Sequence, residues 1–224
     1  MPIILFDIDG TLVRTGGAGK SAMESALVSA FGVTELRDEV KYSGRTDVAI
    51  TRDLLEVHGI SPTLENQHRL RDEYLARLPG SLQTRGGEVC PGIPELLAAI
   101  GGKSDIVLGL LTGNVRAGAQ HKLGYFQLWE HFACGGFGDL HYERDDVARS
   151  ALVSVREHLG TDVNPADVWV IGDTPLDVSC ARAIGANAVA VATGWHPVEE
   201  LADCQPDLIF DDLSDHTRLL AAWR

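Results

Sequence analysis

The chain has 224 residues, 45% of them hydrophobic and 23% charged, a balance that suits one well-filled core or one core carrying a smaller inserted unit. A net charge of −13 excludes the basic face that a nucleic-acid partner needs, and a phosphate-bearing ligand would be repelled unless a few placed cations reverse the field locally. No apolar run is long enough to span a bilayer and no basic region precedes an apolar stretch at the N-terminus, so no membrane partner and a cytoplasmic location are expected.

Ile3 to Phe6 reads as a strand buried on both faces, ending in Asp7, Asp9, Gly10 and Thr11. Open α/β sheets bind their ligands at the carboxyl ends of their strands, which is where this strand delivers both carboxylates. Such a pair suits a divalent cation or an acid/base couple; an ordinary Asp-Gly turn closing a strand is the simpler reading. A glycine cluster from Thr15 to Ser21 follows and reads as a hinge. Its Gly19-Lys20-Ser21 imitates the end of a phosphate-binding loop, but Arg14 stands where that motif needs glycine, so Lys20 reads as a solvated helix-end residue.

From Gly19 to Leu78 the pattern is helical. Met23, Ala26, Leu27, Ala30 and Phe31 mark the first helix. Thr46 or Asp47 caps a second, with Val48, Ile50, Leu54, Leu55 and Val57. Ser61-Pro62 opens a third, which Leu64, Leu70, Tyr74, Leu75 and Leu78 carry to Pro79-Gly80. After Cys90-Pro91-Gly92 the pattern alternates. Helices are expected over 93–100, 116–125, 148–159 and 175–184, with a last one through Leu219 and Leu220. Strands are expected over 105–111, 132–137, 168–171, 188–192 and 208–210. Alternating strands and helices predict an α/β fold, a doubly wound and mostly parallel sheet, over residues 1–14 and 91–224, with an inserted helical unit at 15–90.

Three pieces, each after an apolar run, stand in order: Asp7-Ile8-Asp9-Gly10-Thr11, Leu111-Thr112-Gly113-Asn114, and Gly172-Asp173-Thr174-Pro175-Leu176-Asp177. Together they resemble the signature of the haloacid dehalogenase superfamily, most like its phosphatase branch, and the resemblance spans nearly the whole chain. It implies that the helical insertion is a cap and that Asp7 is a nucleophile attacking phosphorus. Asp9 would be the acid/base group that protonates the departing alkoxide and then activates water. Aspartate at position 9 agrees with phosphatases and phosphomutases rather than dehalogenases or phosphonatases.

The resemblance further implies that Thr112, with Gly113 and Asn114, donates to a phosphoryl oxygen, where the local pattern alone reads as a strand-to-helix turn capped by Asn114. It implies Mg²⁺ held by Asp7, the main-chain carbonyl of Asp9 and Asp173, with Asp177 supporting from outside. The family supplies a lysine or arginine between the second and third pieces. Lys122 falls too early, within the helix after Thr112, so Arg144, expected just ahead of its helix, is the choice and Arg149 the reserve. In the cap, the loop from Tyr42 to Asp47 resembles a specificity loop, with Gly44 and Arg45 as substrate contacts or, in the plainer reading, Arg45 as a solvated loop residue.

Cys90, Cys134, Cys180 and Cys204 form no Cys-x-x-Cys pair and read as reduced thiols, the histidines form no metal-spaced pair, and Trp129, Trp169, Trp195 and Trp223 read as packing or interface residues. The expected function is a Mg²⁺-dependent phosphomonoester hydrolase acting on a small phosphorylated metabolite through an aspartyl-phosphate, as a monomer or homodimer. The alternatives are a phosphomutase of the same build and a non-catalytic metal-binding regulatory module.

Overall fold

A computed structural model describes residues 1–103 and 105–223. Six strands form one sheet: β1 (Ile3–Phe6), β4 (Val107–Leu111), β5 (Cys134–Gly136), β6 (Val168–Gly172), β7 (Asn187–Val191) and β8 (Leu208–Phe210), in the order β5-β4-β1-β6-β7-β8. Every neighbouring pair is parallel, and Ile3 is in register with both Val107 and Val168. β1 is central, so its four apolar residues are wholly inside.

Alternation along β1 divides the core in two. Ile4 and Phe6 pack with α4 (Ile93–Ile100), α5 (Arg116–Tyr125) and α9 (His216–Ala222) on one face. Ile3 and Leu5 pack with α6 (Arg144–Leu159), α7 (Pro175–Ala183) and α8 (Val198–Asp203) on the other. This is the doubly wound arrangement that alternation predicts. The four cysteines are free, and burial pushes the Cys90 and Cys180 thiols up to about 12.

Between β1 and α4 lie α1 (Ala18–Phe31), α2 (Asp47–Val57) and α3 (Leu64–Arg85), which close around a separate cluster of Met23, Leu27, Leu54, Leu55, Leu70 and Tyr74. Thr46 is the cap of α2, its Oγ1 accepting from the Ala49 N–H at 3.1 Å. The chain leaves and re-enters the sheet domain through a short antiparallel pair, β2 (Val13–Arg14) with β3 (Glu88–Val89), where the sequence suggested no strand. Two residues per strand are too few for alternation to register.

Two further expectations are corrected, and one helix had no forerunner in the pattern. α3 does not end at Pro79 but runs through it to Arg85, because Leu78 and Leu82 on either side are buried and their packing offsets the lost backbone hydrogen bond. α6 begins at Arg144 rather than at Ala148, so that arginine is the first residue of its helix rather than ahead of it. α8, only six residues long, was too short for a helical period to show.

Candidate active site

β1, β4 and β6 end side by side, and each hands its next residues to one place. The Asp7 N–H donates to the Ile171 carbonyl at 2.9 Å, which keeps Asp7 in the line of the strand. The chain then turns sharply: the N–H groups of Thr11, Leu12 and Val13 all point to the carbonyl of Ile8. Gly10 sits in the turn at φ +87°, a conformation that favours glycine. A Cβ there would stand 2.3 Å from Asp173 Oδ2, and one on Gly194 would stand 1.7 Å from the same atom. These two bare positions form the cradle in which the Asp173 carboxylate sits. Thr11 Oγ1 donates to its other oxygen at 3.1 Å.

Asp7, Asp173 and Asp177 are buried together, with ligand atoms within 4.8 Å of one another. Arg144 faces them and is 6% exposed. Its Nη2 lies 2.9 Å from Asp7 Oδ1 and also donates to Asp177 Oδ1, while its Nη1 donates to the Gly44 carbonyl at 3.0 Å. Its Nε is buried without a partner among the described residues. Asp177 Oδ2 accepts from the Thr174 N–H at 3.0 Å and from its hydroxyl at 2.7 Å, closing a capping box on α7.

Burial pushes the Asp7 carboxyl up to about 6; Arg144 opposes the rise, and Asp177 and Asp9 add to it. Asp173 is pushed well above the usual carboxylate range, first by burial, then by Asp177 and Asp7. Burial works against the Arg144 charge too, but Asp177 and Asp7 outweigh it and hold the guanidinium protonated. Three desolvated carboxylates facing one guanidinium are short of positive charge. An all-oxygen donor set in that condition fits a hard divalent cation. Asp177 has the least to offer one, since each of its oxygens already accepts from Arg144 or Thr174.

Asp9 stands apart from this cluster. Its side chain is 42% exposed, and Oδ2 accepts from Lys122 Nζ at 2.5 Å and from Asn114 Nδ2 at 2.9 Å. Thr112 is fully buried, and its hydroxyl oxygen accepts from Asn114 Nδ2 at 2.8 Å. Asn114 Oδ1 takes a second hydrogen bond from Lys122 at 2.6 Å. Gly113 abuts the helical unit: a Cβ would meet the Arg45 carbonyl at 2.2 Å, and its own carbonyl accepts from the Asp47 N–H at 2.8 Å.

The loop from Tyr42 to Asp47 is therefore seated against the loops that follow the sheet strands. Gly44 lies under Arg144 and against Thr174 and Leu176; Thr46 Oγ1 donates to the Tyr142 carbonyl at 3.1 Å. Arg45 lines the cavity but ion-pairs with Asp53 at 2.6 Å. Burial lifts Asp47 to about 6 against the pull of Lys122 and of the Val115 N–H. Arg149, the reserve cation, is turned outward on Asp146 at 2.5 Å, so Arg144 alone of the two meets Asp7. Lys20 pairs with Asp38 at the surface, as a solvated residue should.

Over these groups lies a cavity of about 880 Å³, bounded by Asp7, Asp9, Asn114 and Asp173 below and by Met23, Tyr42, Ile50 and Tyr74 of the helical unit above. Its basic lining residues are Arg14, Lys20, Arg45, Lys122 and Arg144, so the site escapes the acidic average of the chain. Trp195, read as a packing or interface residue, lines this cavity and is 90% exposed. Sequence reasoning passed over Lys122, Thr11 and Gly194. For Lys122 a signal existed: it falls on the buried face of α5 with Gly118, Ala119 and Leu123, where a charge needs a partner.

Comparison with known proteins agrees with this geometry. The family model described as haloacid dehalogenase-like hydrolase matches residues 4–191. The phosphoglycolate phosphatase of Synechococcus elongatus is 30% identical, over 96% of this chain and 95% of its own length. The probable phosphatase IndB of Dickeya dadantii is 28% identical, over 96% and 91%. The crystal structure of CbbY from Rhodobacter sphaeroides in complex with phosphate superposes with a TM-score of 0.76 at 20% identity, over 96% of each chain, and so shares the fold. The chain belongs to the haloacid dehalogenase-like hydrolases and is an enzyme of their phosphatase branch.

Proposed function

We propose that the protein is a Mg²⁺-dependent phosphomonoester hydrolase that acts on a small phosphorylated metabolite through an aspartyl-phosphate on Asp7, with residues 15–90 as a cap over the site. The observation that carries this reading is the buried Asp7 carboxylate, aligned by the Arg144 guanidinium inside an all-carboxylate cluster at the floor of a cavity. The phosphatases among its relatives support the reaction class.

Arg144 engages Asp7 Oδ1, which leaves Oδ2 to attack phosphorus. A new Asp7–phosphorus bond forms as the ester bond breaks, and Asp9 gives its proton to the departing oxygen. Asp9, now a carboxylate, takes a proton from water, whose oxygen displaces the Asp7 carboxylate and frees inorganic phosphate. The groups at Thr112, Gly113 and Asn114 hold phosphoryl oxygens through both displacements, and Arg144 keeps Asp7 aligned for them. Asp7, Asp173 and the main-chain carbonyl of Asp9 would hold Mg²⁺, which when bound would neutralise charge among these oxygens. Asp177 orients Arg144 and the start of α7 from outside that set.

The test is phosphate release from an aryl phosphate with Mg²⁺, with chelator, and by Asp7→Asn. The expected result is release only by the wild type with Mg²⁺. Equal rates in all three would place the activity elsewhere. With a sugar phosphate, isomer formed without free phosphate would make the protein a mutase.

A further inference from the structure

Lys122 has no role in the displacements above, yet it is 4% exposed and sits against the acid/base group. A lysine buried to that degree requires compensation for its charge. Nζ donates to Asp9 Oδ2 at 2.5 Å and to Asn114 Oδ1 at 2.6 Å. An ammonium carries three N–H donors, so one remains. Lys122 and Gly19 both line the cavity, and the missing side chain of Gly19 keeps the space beside Nζ open: a Cβ there would stand 3.4 Å from it.

The other cations of the cavity are paired with groups other than Asp9. Arg45 is held by Asp53 at 2.6 Å, and Lys20 by Asp38 at 2.6 Å. Arg14 is held by Glu88 at 2.9 Å and by the Thr193 carbonyl at 2.7 Å, and Arg144 by Asp7 and Asp177. Asp47, the other carboxylate near Lys122, accepts from the Val115 N–H at 2.8 Å. Lys122 is thus the cation of this lining whose charge is presented beside Asp9.

We propose that Lys122 reads the leaving group by donating its third N–H to an acceptor oxygen, best a carboxylate, carried one or two carbons from the ester oxygen. The distance is set by Asp9, which must touch the ester oxygen while Nζ touches Asp9. The substrates are then phosphate esters of short hydroxy acids in preference to esters of plain alcohols. Met23, Val40 and Ile50 on the cap side of the cavity offer no rival charge. This deepens the phosphatase reading and rests on it.

The experiment compares kcat/KM for phosphoglycolate with kcat/KM for ethyl phosphate, its uncharged two-carbon counterpart, in the wild type and in Lys122→Met. The intrinsic reactivity of each ester cancels in the ratio. The ratio is expected to fall about tenfold or more, the worth of one charge-assisted hydrogen bond. An equal loss on both esters would overturn the proposal, since Lys122 would then serve only to support Asp9. If Lys122→Met does not fold, Gly19→Ala decides: it sits in a helix where alanine is favoured and narrows the space beside Nζ while keeping the lysine. There the ratio falls severalfold, or the proposal is overturned. A wild type that releases phosphate from an aryl phosphate but from neither of these esters overturns the short-hydroxy-acid proposal and leaves the hydrolase reading standing, whereas one inactive on all three overturns that reading too; an active wild type with unmoved variant ratios overturns the role of Lys122.

Discussion

Replacing Arg144 by methionine removes the one guanidinium that, among the described residues, faces Asp7 and Asp177, and strips the Gly44 carbonyl of its donor. All three charged side chains are 6% exposed or less, so solvent cannot take over. Breaking a buried ion pair by deleting one partner costs about 3 to 5 kcal/mol. Asp7 already holds its proton up to about 6, and part of the cost is escaped when the stranded carboxylates take up protons, so the lower end applies. About 3 kcal/mol in a chain of this size is a fall in Tm of roughly 6 to 12 °C. Activity is expected to fall further, by about 100-fold or more, because Asp7, the proposed nucleophile, loses the cation that aligns it. Arg144→Lys keeps the charge without the fork and recovers most of the melting temperature but little of the rate. Arg149→Met, at an exposed pair, moves Tm by less than about 2 °C and leaves the rate unchanged. The assays are thermal melting with chelator present and phosphate release with Mg²⁺. An Arg144→Met protein that melts and turns over like the wild type would refute the reasoning.

Gly194→Ala drives a methyl group into Asp173 Oδ2, so Mg²⁺ binding measured by calorimetry is expected to weaken at least tenfold, whereas wild-type affinity would remove the cradle from the argument. Asp47 has a folded pKa of about 6 against 3.8 unfolded; its carboxylate is therefore a burden on the fold that is absent below pH 4 and complete above pH 6. Asp47→Asn should relieve at most about 3 kcal/mol at pH 7 and nothing at pH 3.5, as read from urea unfolding at the two pH values. Pro79→Ala restores a hydrogen-bonded turn inside α3 and is expected to raise stability by about 1 to 3 kcal/mol in the same unfolding assay; a loss would mean that the proline ring itself is needed for packing.

What the chain declared in advance was whatever depends on local periodicity. The apolar run of β1 marked a strand covered on both faces, and α5 begins and ends where its pattern does, at Arg116 and Tyr125. Arg144 was singled out from its place in the order of motifs, and it meets Asp7 even though its helix starts earlier than the pattern showed. The residues that escaped notice act across the fold. Gly194 and Gly10 are 184 positions apart and matter because both face one carboxylate, and Thr11 reaches Asp173 over a separation of 162 residues. Lys122 was set aside by counting along the chain, yet a helix that starts beside Asn114 turns it back onto the loop from which the helix departs. Pro79 misled in the opposite sense: a local rule placed a helix end there, and packing overrode it.

The two aspartates that follow β1 show how neighbouring, identical side chains come to differ. Asp7 is buried, paired with a planar guanidinium that is itself fixed by Asp177 and Gly44, and so is held in one orientation. That suits a group that must attack in line. Asp9 is 42% exposed and meets a lysine, a rounder charge on a flexible stem, together with an amide that bonds the same oxygen. In the proposed reaction a flexible partner lets the carboxyl follow the ester oxygen in one displacement and water in the other. On the proposed mechanism, a planar cation beside Asp7 and a flexible one beside Asp9 suit two different tasks at residues separated by one position. Exchanging the cations, with lysine at 144 and arginine at 122, is therefore expected to slow both displacements while leaving the net charge of the site as it was.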